Sequence, residues 1–344
     1  MKDVAQLSAV LGREFAYELL RAVAPLDEMT VQQALAQLVE AELLYQRGRP
    51  PQATYVFKHA LIQDAAYASL LKSTRQQVYQ QVAQVLEAQF PETVATQPEL
   101  VAQHYSEAGL TEQAIPYWQR AGQQALQRSA NLEAVQHLTM GLALLATLPE
   151  TPARAQKELD LQIALGPALI ATKGQAAPEV EQTYARTRAL CAQVGDTPQL
   201  FPALRGLCRF YVNRGALPTA RELAEQLDRL AQRAADPTHH MEAYDALGST
   251  LFHLGEYAAA WTHLEQGIAC TDPTAEWALA LRLSQSPRVR CLTYTALTLW
   301  CLGYPAQAVW RNQEALALAQ ELAHPFSLVI VHFWAAYLHR YLHT

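Results

Sequence analysis

The sequence predicts a mainly α protein in two regimes: a small N-terminal domain of short helices closing on a hairpin, then an array of helix pairs. Three observations carry this reading. Apolar residues recur at helical spacing through nearly the whole chain, the only β-prone runs flank one Gly/Pro turn, and a set of small residues returns at fixed offsets along the second half. The chain has 344 residues, 51% of them hydrophobic and 17% charged, which suits two domains or one repeat array and excludes general disorder.

In the first regime Tyr17, Leu19, Leu20 and Val23 form an apolar stripe that stops near Pro25. Thr30 is then expected to open a second helix, with Gln33 as its capping-box partner and Val31, Leu35, Leu38 and Val39 on its buried face. Leu43 to Gln46 and Thr54 to Phe57 are short β-prone runs around the turn Arg47-Gly48-Arg49-Pro50-Pro51, which reads as a hairpin. Helix, helix, hairpin is the order of a winged helix, expected over residues 1–72.

In the second regime, residues 73–344, the positions Tyr244, Gly248, Gly255, Ala260 and Gly267 define a repeat. The same offsets pick out Trp118, Gly122, Ser129, Ala134 and Gly141; Leu204, Cys208, Gly215, Ala220 and Leu227; and Leu292, Ala296, Gly303, Ala308 and Ala315. Leu165-Gly166 opens a looser copy with Gly174 one residue late. Small residues at these positions let paired helices approach closely. Glycine at Gly215, Gly255 and Gly303 ends the first helix of each pair at low cost in the left-handed region. The aromatic or leucine four residues before the first small position fills the wedge between neighbouring hairpins. This is the tetratricopeptide (TPR) pattern, with Tyr257 and a closing Pro273 in the clearest copy, at a period longer than the ideal. One stretch departs from strict pairing, with helices expected near 99–108, 111–128 and 131–146. The fold class expected is therefore a small winged-helix domain followed by a TPR-like right-handed α-solenoid. Such arrays need polar caps. The last helix, with Val329, Ile330, Val331, Trp334 and Tyr337, and the first, with Val4, Leu7 and Val10, lack them, so the array is expected to be truncated at its C-terminus.

Charge and missing motifs narrow the function. The net charge is −6, with 26 Lys and Arg, and only Lys2, Lys58, Lys72, Lys157 and Lys173 are lysine. A duplex-neutralising protein is ordinarily more basic. The would-be recognition helix, Val31 to Glu42, offers Gln32, Gln33, Gln37, Glu40 and Glu42 and no Lys or Arg, while Arg47, Arg49 and Lys58 only balance Glu28, Glu40 and Glu42. Lys72-Ser73 has no glycine upstream, so there is no phosphate-binding loop, and no dinucleotide, zinc-protease or serine-hydrolase motif is present. No enzyme activity is expected of this chain. Cys191, Cys208, Cys270, Cys291 and Cys301 have no zinc-type spacing and read as small buried hydrophobes. No secretory leader or membrane-length apolar run is visible, and a cytoplasmic location is expected.

Phe57-Lys58-His59-Ala60-Leu61-Ile62-Gln63-Asp64-Ala65-Ala66-Tyr67 is similar to the winged-helix segment of STAND-type signalling ATPases. In plant and animal relatives the matching stretch is a Met-His-Asp motif whose histidine reaches the β-phosphate of ADP. His59 matches that histidine, whereas Lys58 and Ala60 depart from the Met and the Asp. Gly12-Arg13-Glu14-Phe15, Ala41-Glu42-Leu43-Leu44-Tyr45, Tyr117-Trp118, Ala121-Gly122, Leu302-Gly303-Tyr304-Pro305 and Ala323-His324-Pro325-Phe326-Ser327 follow in one order. Together these resemble the C-terminal half of bacterial regulators in which a class III nucleotide cyclase or a Ser/Thr kinase domain precedes a STAND ATPase. The resemblance implies a regulatory and interaction segment. The winged helix would sense ADP or ATP bound to an upstream ATPase domain through His59, and the repeats would bind a protein or small effector. No cofactor is expected on this chain itself.

Two alternatives stay open: a DNA-binding regulator with a TPR sensor, and a stand-alone TPR scaffold. Arg186, Arg188 and Arg221 are expected to be solvated or paired with nearby Glu. Arg205, Arg209 and Arg214 are candidates to line a groove for an acidic peptide. His332, His339 and His343 share a helix face without a carboxylate or Cys and read as packing or surface, not metal. His239-His240 reads as loop, and Trp118, Trp261, Trp277, Trp300, Trp310 and Trp334 as core wedges.

Overall fold

The computed structural model describes residues 1–194, 198–234, 236–270, 277, 279–280 and 285–342, the last two without their side chains. Pro273 and His343 lie outside the described residues. The described residues form eighteen helices and one three-stranded sheet in two compact units.

The first unit comprises Met1–Gly122 and Thr139–Leu148. It begins with α1 (Lys2–Leu11), β1 (Glu14–Ala16), α2 (Tyr17–Val23), α3 (Glu28–Glu40), β2 (Leu44–Arg47), β3 (Thr54–Phe57) and α4 (Ala60–Ala68). The hairpin is as expected, with Leu44 opposite Phe57 and Arg47 opposite Thr54. Strand β1 adds to its other side, pairing Phe15 with Tyr55. Three residues are too few to show alternation, which is why β1 has no sequence signature. Helix α3 starts earlier than Thr30 because Asp27 is its cap, accepting from Thr30 N at 2.9 Å and Thr30 Oγ1 at 2.6 Å.

Packing does not divide the chain at the expected boundary after Lys72. Helices α5 (Lys72–Gln89), α6 (Pro91–Thr96) and α7 (Pro98–Glu107) place Val82, Ala83, Leu86, Val94, Val101, Ala102 and Tyr105 in one core with Phe15, Leu20, Leu35, Leu38 and Phe57. The core continues to Ala114 and Trp118 of α8 (Thr111–Gln127), where the Trp118 indole donates to Ser106 Oγ at 3.0 Å. Thus the three helices α7, α8 and α9 (Asn131–Ala146) fall where the sequence put them, but the first two complete the N-terminal core.

The second unit comprises Gln123–Leu138 and Pro149–Thr344. Its antiparallel pairs are α10 (Pro152–Lys173) with α11 (Pro178–Val194), α12 (Leu200–Arg214) with α13 (Leu217–Ala231), α14 (Pro237–Leu254) with α15 (Tyr257–Ala269), and α16 (Pro287–Cys301) with α17 (Pro305–Leu322), followed by α18 (Pro325–Leu342). Gly215 and Gly255 close α12 and α14 with φ of 76° and 81°, the left-handed caps anticipated from the repeat. Ala220, Ala260 and Ala308 are fully buried where the second helix of each pair crosses the first. A Cβ on Gly248 would lie 2.5 Å from Leu264, so the close approach of α14 and α15 depends on its absence.

Some expectations are corrected. His239 and His240 lie in the first turn of α14, capped by Asp236, and His239 stacks on Phe201 with centroids 4.2 Å apart. Trp277 and Trp310 are exposed, and Arg311 stacks on Trp310 instead of the ring filling a wedge. Cys301 is exposed, whereas Cys191, Cys208 and Cys291 are buried as expected. No described helix is long and apolar enough to cross a membrane.

Candidate functional site

In the second unit a polar stripe crosses three neighbouring first helices. Arg205 and Arg209 stand at i and i+4 on α12; Glu242, Asp245 and Ser249 at i, i+3 and i+7 on α14; Arg290 and Tyr294 at i and i+4 on α16. These spacings bring each set to one helix face. All five charged side chains are at least nine-tenths buried.

The charges are unequally matched. Arg290 Nε donates to Asp245 Oδ1 at 2.7 Å and its Nη2 donates to Ser249 Oγ at 2.8 Å, with the guanidinium over the Tyr294 ring at 5.3 Å. Burial alone would depress the Arg290 pKa, but the Asp245 carboxylate outweighs it and holds the group above its ordinary value. Arg205 Nε lies 3.1 Å from Glu242 Oε2. Arg209 has no carboxylate of its own, and its Nη2 is buried without a hydrogen-bond partner among the described residues. Burial, then repulsion from Arg290 and Arg205, pushes its pKa well below that of an ordinary arginine. Among the described residues, Nε and Nη2 of Arg205 are likewise buried without a hydrogen-bond partner, so Arg290 is the guanidinium of the three with hydrogen bonds to both a carboxylate and a hydroxyl. A buried charge normally requires a partner, because its desolvation costs several kcal/mol.

Arg214 does not join this cluster. It lies five and nine residues beyond Arg209 and Arg205, on a different side of α12, and is exposed in the last turn. Arg186 and Arg221 are paired as expected, with Glu158 at 2.6 Å and Glu256 at 2.7 Å. The Arg186 pair lines a shallow cavity of about 270 Å³ with Glu150 and Arg154, separate from the arginine stripe. His332 and His339 are exposed on α18. Among the described residues no three His, Cys, Asp or Glu side chains converge in a way that could hold a metal ion.

In the first unit, His59 is the N-cap of α4, directly after β3, and its side chain is exposed and makes no capping bond. Lys58 beside it is tied to Glu42, Nζ to Oε2 at 2.6 Å, and its amide donates to Leu43 O at 3.0 Å. The strand therefore fixes the backbone at this junction while leaving the imidazole outward.

No protein-family model matches the chain. An uncharacterized protein of Rhizobium meliloti (strain 1021) is 25% identical over 95% of this chain, which spans 32% of that relative's length. The fold is shared with the solved Rap protein complexed with Competence and Sporulation Factor, at 12% identity and a TM-score of 0.50, covering 96% of this chain and 80% of that one. A STAND protein with a tetratricopeptide repeat sensor from Pyrococcus horikoshii aligns over 96% of this chain and 59% of its own, at 11% identity and a TM-score of 0.47. The TPR-like repeats of a kinesin light chain from Podosopora anserina align over 60% of this chain and 95% of their own, at 21% identity and a TM-score of 0.44. The helical array is TPR-like.

Sequence reasoning found Arg205 and Arg209 but missed Glu242, Asp245 and Arg290, the groups that decide which arginine is matched. A signal was available. Asp245 and Arg205 occupy one repeat position, three residues before Gly248 and Cys208, where an interior face is otherwise apolar or small.

Proposed function

We propose that this chain is a regulatory and protein-interaction segment of a signal-transduction ATPase. Its helical array binds an effector, and its N-terminal domain reports the nucleotide state of an ATPase domain elsewhere in the same protein. The order α1, β1, α2, α3, β2, β3 supports reading the N-terminal domain as a winged helix. The observation that carries the nucleotide reading is His59, held outward at the N-terminus of α4. Backbone amides at a helix start attract anions, and an imidazole there adds a hydrogen-bond donor. A diphosphate presented by a neighbouring domain would meet both. The Lys58 ammonium, engaged by Glu42, is not free to substitute for the imidazole.

For the array to act as a switch, its effector must prefer one arrangement of array and ATPase over the other. The nucleotide arm is tested in the parent polypeptide by replacing His59→Ala and following release of prebound ADP. Release at least several-fold faster, with higher basal turnover, is expected. Unchanged ADP retention would sink the sensor role and leave the array as an interaction scaffold.

A further inference from the structure

We infer that the array contains a hinge between the pair α12–α13 and the pair α14–α15, and that it opens by letting water reach Arg205 and Arg209 while α14 to α18 move as one body. This goes beyond the proposed function and does not rest on the nucleotide reading of His59.

In a repeat array each helix pair touches its neighbours alone, so opening begins at the weakest interface and exposes only that one. The two interfaces of α14 differ. Toward α16, Arg290 is satisfied by Asp245 and Ser249, and Leu251, Leu264, Tyr294, Leu297, Ala308 and Leu338 join α14 through α18 in one apolar cluster. On the α12 side, Arg205 and Arg209 are 9% and 6% exposed. Nε and Nη2 of Arg205 and Nη2 of Arg209 are nevertheless buried without a hydrogen-bond partner among the described residues. Glu242 lies 3.1 Å from Arg205 Nε and balances its charge, but without the alignment of a hydrogen bond.

A buried N–H left unpaired costs stability that water restores once the group is wetted. Arg209 is also repelled by Arg290, on the far side of the joint, and by Arg205, with Asp245 as the offsetting acid. Swinging α12 away from α14 hydrates the unpaired nitrogens and relieves the repulsion between Arg209 and Arg290, at the cost of one apolar interface. On the outer side Arg221 of α13 pairs with Glu256, the cap of α15, at 2.7 Å. That pair is exposed at both ends and adds little to stability, yet it marks the side on which the joint pivots. The array thus has two arrangements, and an effector that touches both α12 and α14 biases the joint.

The thiol of Cys208 reads the opening. It is buried on α12 with Sγ 3.8 Å from Thr250 Oγ1 of α14, and burial raises its pKa to about 11, so it reacts only when the joint parts. Cys291, buried on α16 within the body α14–α18, and the exposed Cys301 serve as references in the same chain. The intact chain is treated with iodoacetamide under native conditions, and alkylation of each cysteine is followed by peptide mass spectrometry. Cys208 is expected to react at least about tenfold faster than Cys291, and α12 amides to open to deuterium exchange about tenfold less often than the thiol is reached. Arg209→Met, which removes a buried unpaired group, should slow Cys208 about fivefold or more relative to Cys301 and leave Cys291 unchanged. The wild-type comparison needs no variant. Equal rates at Cys208 and Cys291 overturn the hinge, because opening is then global. Amides of α12 that open as often as the thiol reacts overturn it as well, because the helix then unfolds instead of swinging. A folded Arg209→Met chain that labels at Cys208 as fast as the wild type overturns the part given to the buried arginines.

Discussion

Tyr184 illustrates how single residues set the spacing of the array. Its ring is lodged between two glycines: a Cβ on Gly166 of α10 would lie 2.4 Å from its hydroxyl, and one on Gly206 of α12 would lie 2.5 Å from its ring carbons. Neither distance is tolerated by real side chains, and the ring cannot retreat from one helix without striking the other. Gly206→Ala should therefore cost about 1–3 kcal/mol by overpacking. Urea unfolding of the full chain measures it, and combining the change with Tyr184→Leu should return a penalty smaller than the sum of the two singles. Strict additivity would mean that the ring is not the obstacle.

At the scale of elements, α7 ties stability of the N-terminal unit to pH. His104 faces the interior beside the Tyr79 ring, centroids 5.7 Å apart, and its Nδ1 is buried without a partner among the described residues. Burial lowers its pKa from 6.5 to about 4, so the folded state holds the neutral ring and the unfolded state takes up the proton first. The stability this contributes is fully present above pH 6.5 and is lost as pH falls from there toward 4, a change of roughly 3 kcal/mol at most. Urea midpoints measured between pH 4 and 7 should fall with acidification in the wild type and less steeply in His104→Leu; parallel curves would assign the pH dependence elsewhere. Nothing in the sequence marks His104 as buried, because it reads as one more polar residue in an amphipathic helix. The helices themselves were legible, since α7, α8 and α9 follow from their apolar spacing, from Gly109 and Ser129 between them and from Pro98 at the start of α7. What was not legible was partnership. The apolar faces of α5 and α7 look like those of the array, yet they close the core over Phe15 and Phe57. Likewise the pattern placed Arg205 and Arg209 together but gave no account of Asp245 and Arg290, which approach from other helices.

Over the whole molecule, charge weighs against the DNA-binding alternative. The exposed face of α3 carries Gln32, Gln33, Gln37 and Glu40, so the helix that would enter a groove brings hydrogen-bonding groups without a single cation. Of the nearby bases, Lys58 is held by Glu42 at 2.6 Å and Arg47 lies 3.9 Å from Glu14. The arginines of the stripe are buried in the array, where they cannot reach a phosphate backbone. Net charge is −6, so long-range steering of a polyanion is repulsive at low salt, the condition in which phosphate contacts are strongest. Gel shift of a mixed-sequence duplex at about 20 mM salt, with the chain at micromolar concentration, should therefore show no retention, since nonspecific affinity arises from phosphate neutralisation. Retention that weakens steeply as salt is raised would demand several cations on one surface. That outcome would place the hairpin arginines Arg47 and Arg49 on DNA and reinstate a regulator that reads nucleic acid through its N-terminal domain. Retention that survives Arg47→Ala with Arg49→Ala would instead exclude the hairpin as the contact.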